Sequence, residues 1–381
     1  MTVDAPSGLM RYFAELKDPR MNRTKRHELS DIITIAICAV ICGADGWTEV
    51  AMFGECKESW FRTFLDLSNG IPSHDTFRRV FMLLRPDEFE ACFVKWINHI
   101  SETSKGRLIA VDGKTIRRSL DQANNKAAIH MVSAWCDANK MILGQLATDA
   151  KSNEITTIPA LLKLIDISGA VVTTDAMGCQ KDITKAIVDQ DGDYVLQLKG
   201  NQNGLYEETV ELFDKCLRDD CLGIAYSTAT LSNQGHGRQE RRTIWATEDI
   251  SWFAEHKKWS NLRSLIRVLC ERTVNGETSQ EYHYYISSLP ADTPEILLSY
   301  IRGHWSVENR LHWCLDISFA DDTRRIRSGY GAENFSRLSR IGLNLLKAEK
   351  KLKAGIKGKR LKCGWDHNYL LKVLTGPLGK I

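Results

Sequence analysis

No Cys-x-x-Cys pair occurs among the eleven cysteines, and no charged-then-apolar leader precedes them. Free thiols in a reducing cytoplasm are the simplest account, with Cys38 and Cys42 acting as small hydrophobes on an apolar helix. Long hydrophobic runs are also missing. The most apolar stretch, Ile32 to Ala44, is 13 residues, short of the roughly 20 needed to span a bilayer. No internal repeat or low-complexity linker is present. The chain is expected to be soluble and cytoplasmic, associated with the nucleoid and with no membrane partner. A large net excess of charge is missing as well, because 51 Lys and Arg against 48 Asp and Glu leave only +3, too small to argue for a nucleic-acid partner by itself.

What is there is an ordinary globular composition, 43% hydrophobic and 26% charged over 381 residues. That length suits one large domain and a smaller one. The charge is unevenly spread. From Arg324 to Lys362 there are 13 Lys or Arg and two acids, Glu333 and Glu349, a local balance of 13 − 2 = +11 that leaves about −8 elsewhere. A basic block on a mildly acidic body is the footprint of a surface that tracks phosphates. A solvated helix and tail would look the same.

Residues 1 to 104 read as a helical domain. Ser30-Asp31 caps a helix ending near Gly43, and another covers Thr48 to about Leu65. Ser73 caps a helix to Leu84, and Pro86 opens one carrying Phe89, Phe93, Trp96 and Ile97 at helical spacing. From Lys105 the pattern turns extended. Strands are expected at Arg107–Val111, Ala128–Trp135, Met141–Thr148, Ala170–Thr174 and Tyr194–Leu198, with helices at Ile155–Ile165 and Gln180–Gln190. Three strands, helix, strand, helix, strand is the order of a mixed α/β sheet flanked by helices. Residues 201–290 read as an insertion with strands of its own, followed by helices at Thr293–Leu315 and Asn334–Lys353.

Chemistry in such sheets gathers at the carboxyl ends of strands. Asp112 is expected to end the first strand and Asp175 the fourth, and Glu308 on the late helix can complete a set of three carboxylates. Three convergent carboxylates repel unless a cation neutralises them, and oxygen ligands favour Mg2+ or Mn2+. Two such ions would serve an in-line phosphoryl displacement. Asp-Gly is also a common turn, so an all-structural role stands beside this one. Asp112-Gly113-Lys114 has in addition the Asp-x-Lys shape of a different nuclease fold, but no acid precedes Asp112 before Glu102 to complete it.

Longer runs are more specific. They include Gly70-Ile71-Pro72-Ser73-His74-Asp75-Thr76-Phe77, Ala110-Val111-Asp112-Gly113-Lys114-Thr115 and Thr173-Thr174-Asp175-Ala176-Met177-Gly178-Cys179-Gln180-Lys181-Asp182. Leu198-Lys199-Gly200-Asn201-Gln202, Tyr285-Ile286-Ser287-Ser288 and His304-Trp305-Ser306-Val307-Glu308-Asn309 with Leu311-His312-Trp313 continue the series. On these runs the chain resembles, over nearly its whole length, the H-repeat-associated family of bacterial insertion-sequence transposases, a branch of the Asp-Asp-Glu transposases. The resemblance implies a ribonuclease H-like core within 105–381, interrupted by a β-rich insertion, and a catalytic triad at Asp112, Asp175 and Glu308 that binds two metal ions. It implies DNA cleavage and strand transfer at element ends. A nuclease without strand transfer, or an immobile DNA-binding remnant, are the alternatives. One departure is clear. Relatives often carry Tyr, Arg and Lys at −7, −4 and +7 from the Glu, where this chain has Ile301, His304 and Leu315.

The expected partners are double-stranded DNA, as terminal inverted repeats and target, and a second copy in a homodimeric synaptic complex. Candidate DNA contacts are Lys199 after the fifth strand, Arg238 and Arg241 at a Gly-rich turn, and Arg302 and His304 beside the Glu. Arg337, Arg340, Lys347, Lys350 and Lys351 on the basic C-terminal helix within 324–362 are the stronger set. His74, Thr76, Arg78 and Arg79 follow the turn and cap of a helix-turn-helix. His304 and His312 flank Glu308 without a third zinc ligand, and Trp305 and Trp313 on that face are expected in the core.

Overall fold

The computed structural model describes residues 7–100, 107–121, 127–148, 153–218, 224–235, 237–253 and 255–376. The expected domain boundary at 104/105 and His236 lie outside these residues. Nine strands occur among them: β1 Leu108–Thr115, β2 His130–Cys136, β3 Met141–Thr148, β4 Val171–Thr174, β5 Asp193–Leu198, β6 Ser227–Gly235, β7 Arg238–Thr247, β8 Ser264–Val274 and β9 Glu277–Ser287. The main helices are α1 Leu29–Cys42, α2 Trp47–Cys56, α3 His74–Leu83, α4 Pro86–Ile100, α5 Glu154–Leu162, α6 Lys181–Val188, α7 Asn203–Arg218, α8 Pro294–His304, α9 Trp313–Phe319, α10 Gly331–Ala348, α11 Ile356–Trp365 and α12 His367–Thr375. The order of β1 to β5 with α5 and α6 is the one expected of the ribonuclease H-like sheet. The chain divides into two compact units, one of residues 1–102, 113–153 and 308–381, the other of 103–112 and 154–307.

The first unit is built around two helices. α1 is apolar on every side, so it can only be stable inside, and Ile32 to Ile41 are all buried. Gly43, at φ 122°, closes it. α1 packs on α10, and Gly342 lets the two approach where a Cβ would lie 3.2 Å from Ile41. Ser73 caps α3 by accepting from the Thr76 amide, and α4 buries Phe89, Phe93, Trp96 and Ile97 as their spacing requires. The hairpin of β2 and β3 also belongs here.

α10 is amphipathic by sequence yet buried almost throughout, because its polar side chains are paired inside. Asn344 both donates to and accepts from the backbone of Ile142 on β3, each bond at 2.9 Å. Asn334 donates to the carbonyls of Phe81 and Leu84 at 2.8 Å. Arg337 reaches Glu90 of α4 at 2.8 Å and Glu333 at 2.9 Å, with Glu90 also accepting from the Gln145 amide. Each of these buried side chains therefore meets at least one partner of opposite character, which offsets much of the cost of burying it.

The second unit is a mixed sheet in the order β1-β4-β5-β9-β8-β7-β6. β1, β4 and β5 run parallel, and β9 then joins β5 antiparallel through Val195↔Ser287 to Leu198↔Tyr284. The strands of the expected insertion are therefore not set apart. They extend the sheet, and Ile244, Ile266 and Val268 share one core with Val171, Val195 and the α8 residues Leu297 and Ile301. β6 was not expected from sequence, because Ala229 and Leu231 are the only apolar pair in a Thr-, Ser- and Asn-rich run. No single helix among the described residues is long and apolar enough to cross a membrane.

Candidate active site

The parallel pairing of β1 with β4 ends at Val111↔Thr174, and the residues that follow on the two strands are Asp112 and Asp175. Neighbouring strands lie about 4.8 Å apart, so this register brings Asp112 and Asp175 to the same level on two adjacent interior strands, where their pairing stops. Asp112 does not end its strand, contrary to expectation: β1 runs on to Thr115, and only its pairing with β4 stops.

Asp175 is held by the loop that it opens. Its Oδ1 accepts the amides of Met177 at 3.0 Å and Gly178 at 3.3 Å, capping the 3-10 turn Ala176–Gly178. Only glycine fits at 178, since a Cβ would lie 2.4 Å from Thr174 Oγ1. The loop after β5 braces the same turn. Asn201 donates to the Ala176 carbonyl at 2.7 Å, and Gln202 to the Cys179 carbonyl and the Gln180 side chain, both at 3.0 Å. Two sequence runs far apart in the chain thus have one structural purpose. Lys199 begins the second loop and is exposed.

Glu308 belongs to the other unit, where it opens a π-turn, Glu308–His312, ahead of α9. Such turns are rare and recur at functional sites. Its side chain is 66% exposed, and Oε2 lies 3.0 Å from Nδ1 of His312, itself buried. The bond to His312 holds the Glu308 carboxyl below the usual range. Partial burial opposes this, and the nearby Lys114 charge assists it. The three acids that follow are differently employed. Lys114, buried, bridges Asp316 at 2.7 Å and Asp322 at 3.0 Å, while fully buried Asp321 pairs with Arg324 and lies 3.8 Å from Arg340. Glu308 is the most exposed of the four, at 66% against 33% for Asp316, 23% for Asp322 and 0% for Asp321. Lys114 is committed to these partners, which removes the Asp-x-Lys alternative.

Several expected DNA contacts lie elsewhere. Arg337 and Arg340 are 1% and 0% exposed, the first paired with Glu90 and the second bonded to Ser336, so neither reaches the surface. Lys347 is half-buried over the Trp135 ring and donates to the Arg310 carbonyl at 2.8 Å; burial pulls its ammonium pKa down to about 8. α10 ends at Ala348, five residues short of expectation, and Lys350 and Lys351 beyond it are exposed. Arg238 and Arg241 are exposed but face Glu240 at 2.9 Å and Glu271 at 3.7 Å. Arg302 is exposed on α8. His304 ties the end of α8 to β4, its Nδ1 lying 3.0 Å from Thr173 Oγ1, and Gly303 beside it leaves room for Leu108. Trp305 and Trp313, expected in the core, are 61% and 59% exposed because α8 breaks at Trp305 and the π-turn resets the helical phase.

A family model described as Transposase DDE domain matches residues 103–345, and one described as DDE_Tnp_1-associated matches residues 10–97. The chain belongs to the Asp-Asp-Glu transposases and, among them, to the H repeat-associated family. It is 39% identical over 373 residues to "H repeat-associated putative transposase YhhI" of Escherichia coli (strain K12), covering 97% of this chain and 98% of that one. It is 40% identical over 371 residues to "Putative transposase YncI" of Escherichia coli O157:H7, covering 96% and 94%. Among solved structures, a piggyBac transposase synaptic complex with hairpin DNA aligns at TM-score 0.43 and 11% identity, covering 100% of this chain and 78% of that chain.

Proposed function

We propose that this protein cuts the ends of an insertion sequence and joins them to target DNA, with Asp112, Asp175 and Glu308 holding two divalent ions, Mg2+ or Mn2+. The observation that supports the reading is the β1–β4 register, in which the parallel pairing stops at Val111↔Thr174 and Asp112 and Asp175 are the next residue of each strand's run. Membership of the family supports Glu308 as the third, as does the engagement of Asp316, Asp321 and Asp322 with buried cations.

The donor set fits hard cations, because all three groups are carboxylates. The capping turn takes both of its amides on Oδ1 of Asp175 and does not consume Oδ2. Bound ions would supply activation of water or a 3′-hydroxyl and stabilisation of the leaving oxygen. The protein's own part is positional. The braced β4 loop fixes Asp175, and Lys199 at the head of the bracing loop offers a point charge to a phosphate. Arg302, Lys350 and Lys351, with His74, Arg78 and Arg79 on the outer side of α3, extend the DNA contact. Two element ends must be held together, so the working form is a dimer on inverted repeats.

Purified protein, labelled element ends and Mg2+ provide the test. Asp112→Asn, Asp175→Asn and Glu308→Gln are each expected to lose cleavage by on the order of 10²–10³-fold, and the wild type to yield strand-transfer products. Cleavage at the wild-type rate by these variants would refute the triad, and nicking without joined products would leave a nuclease.

A further inference from the structure

We propose that His312 is the positioning residue for Glu308, donating from Nδ1 to Oε2 so that the carboxylate presents a fixed face to a divalent ion. The inference rests on the reading of Glu308 as a metal-binding carboxylate and adds what holds it there.

A glutamate 66% exposed on a helical turn ordinarily samples many rotamers. Here its Oε2 lies 3.0 Å from Nδ1 of a ring that is only 5% exposed, so the mobile partner is tied to an immobile one. A carboxylate can only accept, which requires the hydrogen on Nδ1. The ring is fixed in turn by its place in the turn: Leu311 before it and Leu315 after it are both fully buried. The π-turn itself spans the two residues, beginning at Glu308 and ending at His312. Lys114, whose charge also bears on Glu308, is spent on Asp316 and Asp322. Partners that orient ligating side chains in this way typically change metal affinity by 10- to 100-fold when removed.

The experiment is Mn2+ titration of the full-length protein, with free ion read by electron paramagnetic resonance, on His312→Asn, His312→Gln, His312→Phe and Glu308→Gln. Circular dichroism confirms folding of each. An Asn amide nitrogen falls near the Nδ1 position, whereas a Gln nitrogen falls near Nε2. The proposal therefore expects His312→Asn to bind within about 3-fold of wild type, and His312→Gln and His312→Phe about 10-fold or more weakly. Equal affinities for wild type, Gln and Phe would overturn it. Equal losses for Asn and Gln would overturn it too, since the ring would then act as a ligand or as packing. Should the Phe variant fail to fold, the Asn and Gln pair decides. Undiminished Mn2+ affinity in Glu308→Gln would instead sink the reading of Glu308 on which the proposal stands.

Discussion

α10 and the segment that follows it carry charge of the same sign, but they face opposite ways. In α10, Arg337 and Arg340 point inward to Glu90, Ser336 and the neighbourhood of Asp321. Beyond Ala348, Lys350, Lys351, Lys353 and Lys357 are exposed, while Lys359 and Arg360 turn in to hold helix ends: Lys359 donates to the Leu346 carbonyl at 3.0 Å, and Arg360 to that of Val40 at 2.7 Å. A run of basic residues is thus two things at once, a set of internal fasteners and a cationic surface. The burial of the counter-charges decides which residue is which, and sequence charge alone carries no sign of it.

The largest effect that would sharpen this contrast is expected at Arg337. Arg337→Leu strands Glu90 in the core and should cost about 3–5 kcal/mol, read from urea unfolding. A loss under about 1 kcal/mol would break the comparison. Asn344→Leu leaves the Ile142 amide and carbonyl unpaired and should cost about 2–3 kcal/mol by the same measurement. Acid sensitivity comes next. Burial opposes ionisation of Glu349, but bonds from Lys372 and Tyr369 outweigh it and bring its carboxyl to about 2, below the ordinary 4.5. A depressed folded pKa means stability that is complete above 4.5 and is lost as pH falls towards 2. Wild-type melting temperature should therefore drop more steeply over that window than that of Glu349→Gln. The smallest stability effect belongs to the exposed segment. Replacing Lys350, Lys351 and Lys353 together with Gln should change stability by less than about 0.5 kcal/mol. It should lower the slope of log Kd for DNA against log salt by roughly 0.9 for each phosphate no longer neutralised. An unchanged slope would remove this segment from the DNA surface.

The parts legible in the sequence were those governed by local pattern. Alternation and turn residues set out β1 to β5 with α5 and α6 between them, Ser73 announced its helix, and the all-round apolarity of α1 required burial. Asp175 was legible as an acid at a strand end and Asp112 only as an acid within the β1 run, and the register that brings the two residues to one level comes from the pairing of β1 with β4. What stayed hidden depends on distant partners. β6 offers only Ala229 and Leu231 to the core and is set by its pairing with β7 along its whole length. The exposure of Trp305 and Trp313 follows from a π-turn that helical periodicity cannot reveal. Glu308 could be separated from Asp316, Asp321 and Asp322 by motif alone, and the physical reason, that those three acids are taken up by the buried cations Lys114, Arg324 and Arg340, lies in distant partners.

The packing of α1 on α10 also has a consequence in time. α1 is made near the start of synthesis and its partner roughly 300 residues later, which at about 5–20 residues per second is some 15–60 s. Throughout that interval the most apolar helix of the protein lacks the part of its native cover that α10 provides, although α2 is already made. A ribosome that stalls before residue 331 would release a chain with α1 uncapped, a ready target for chaperones and proteases. α10 is therefore a late-made part of the cover of an early-made core helix, and it is made after all three proposed catalytic acids have been translated.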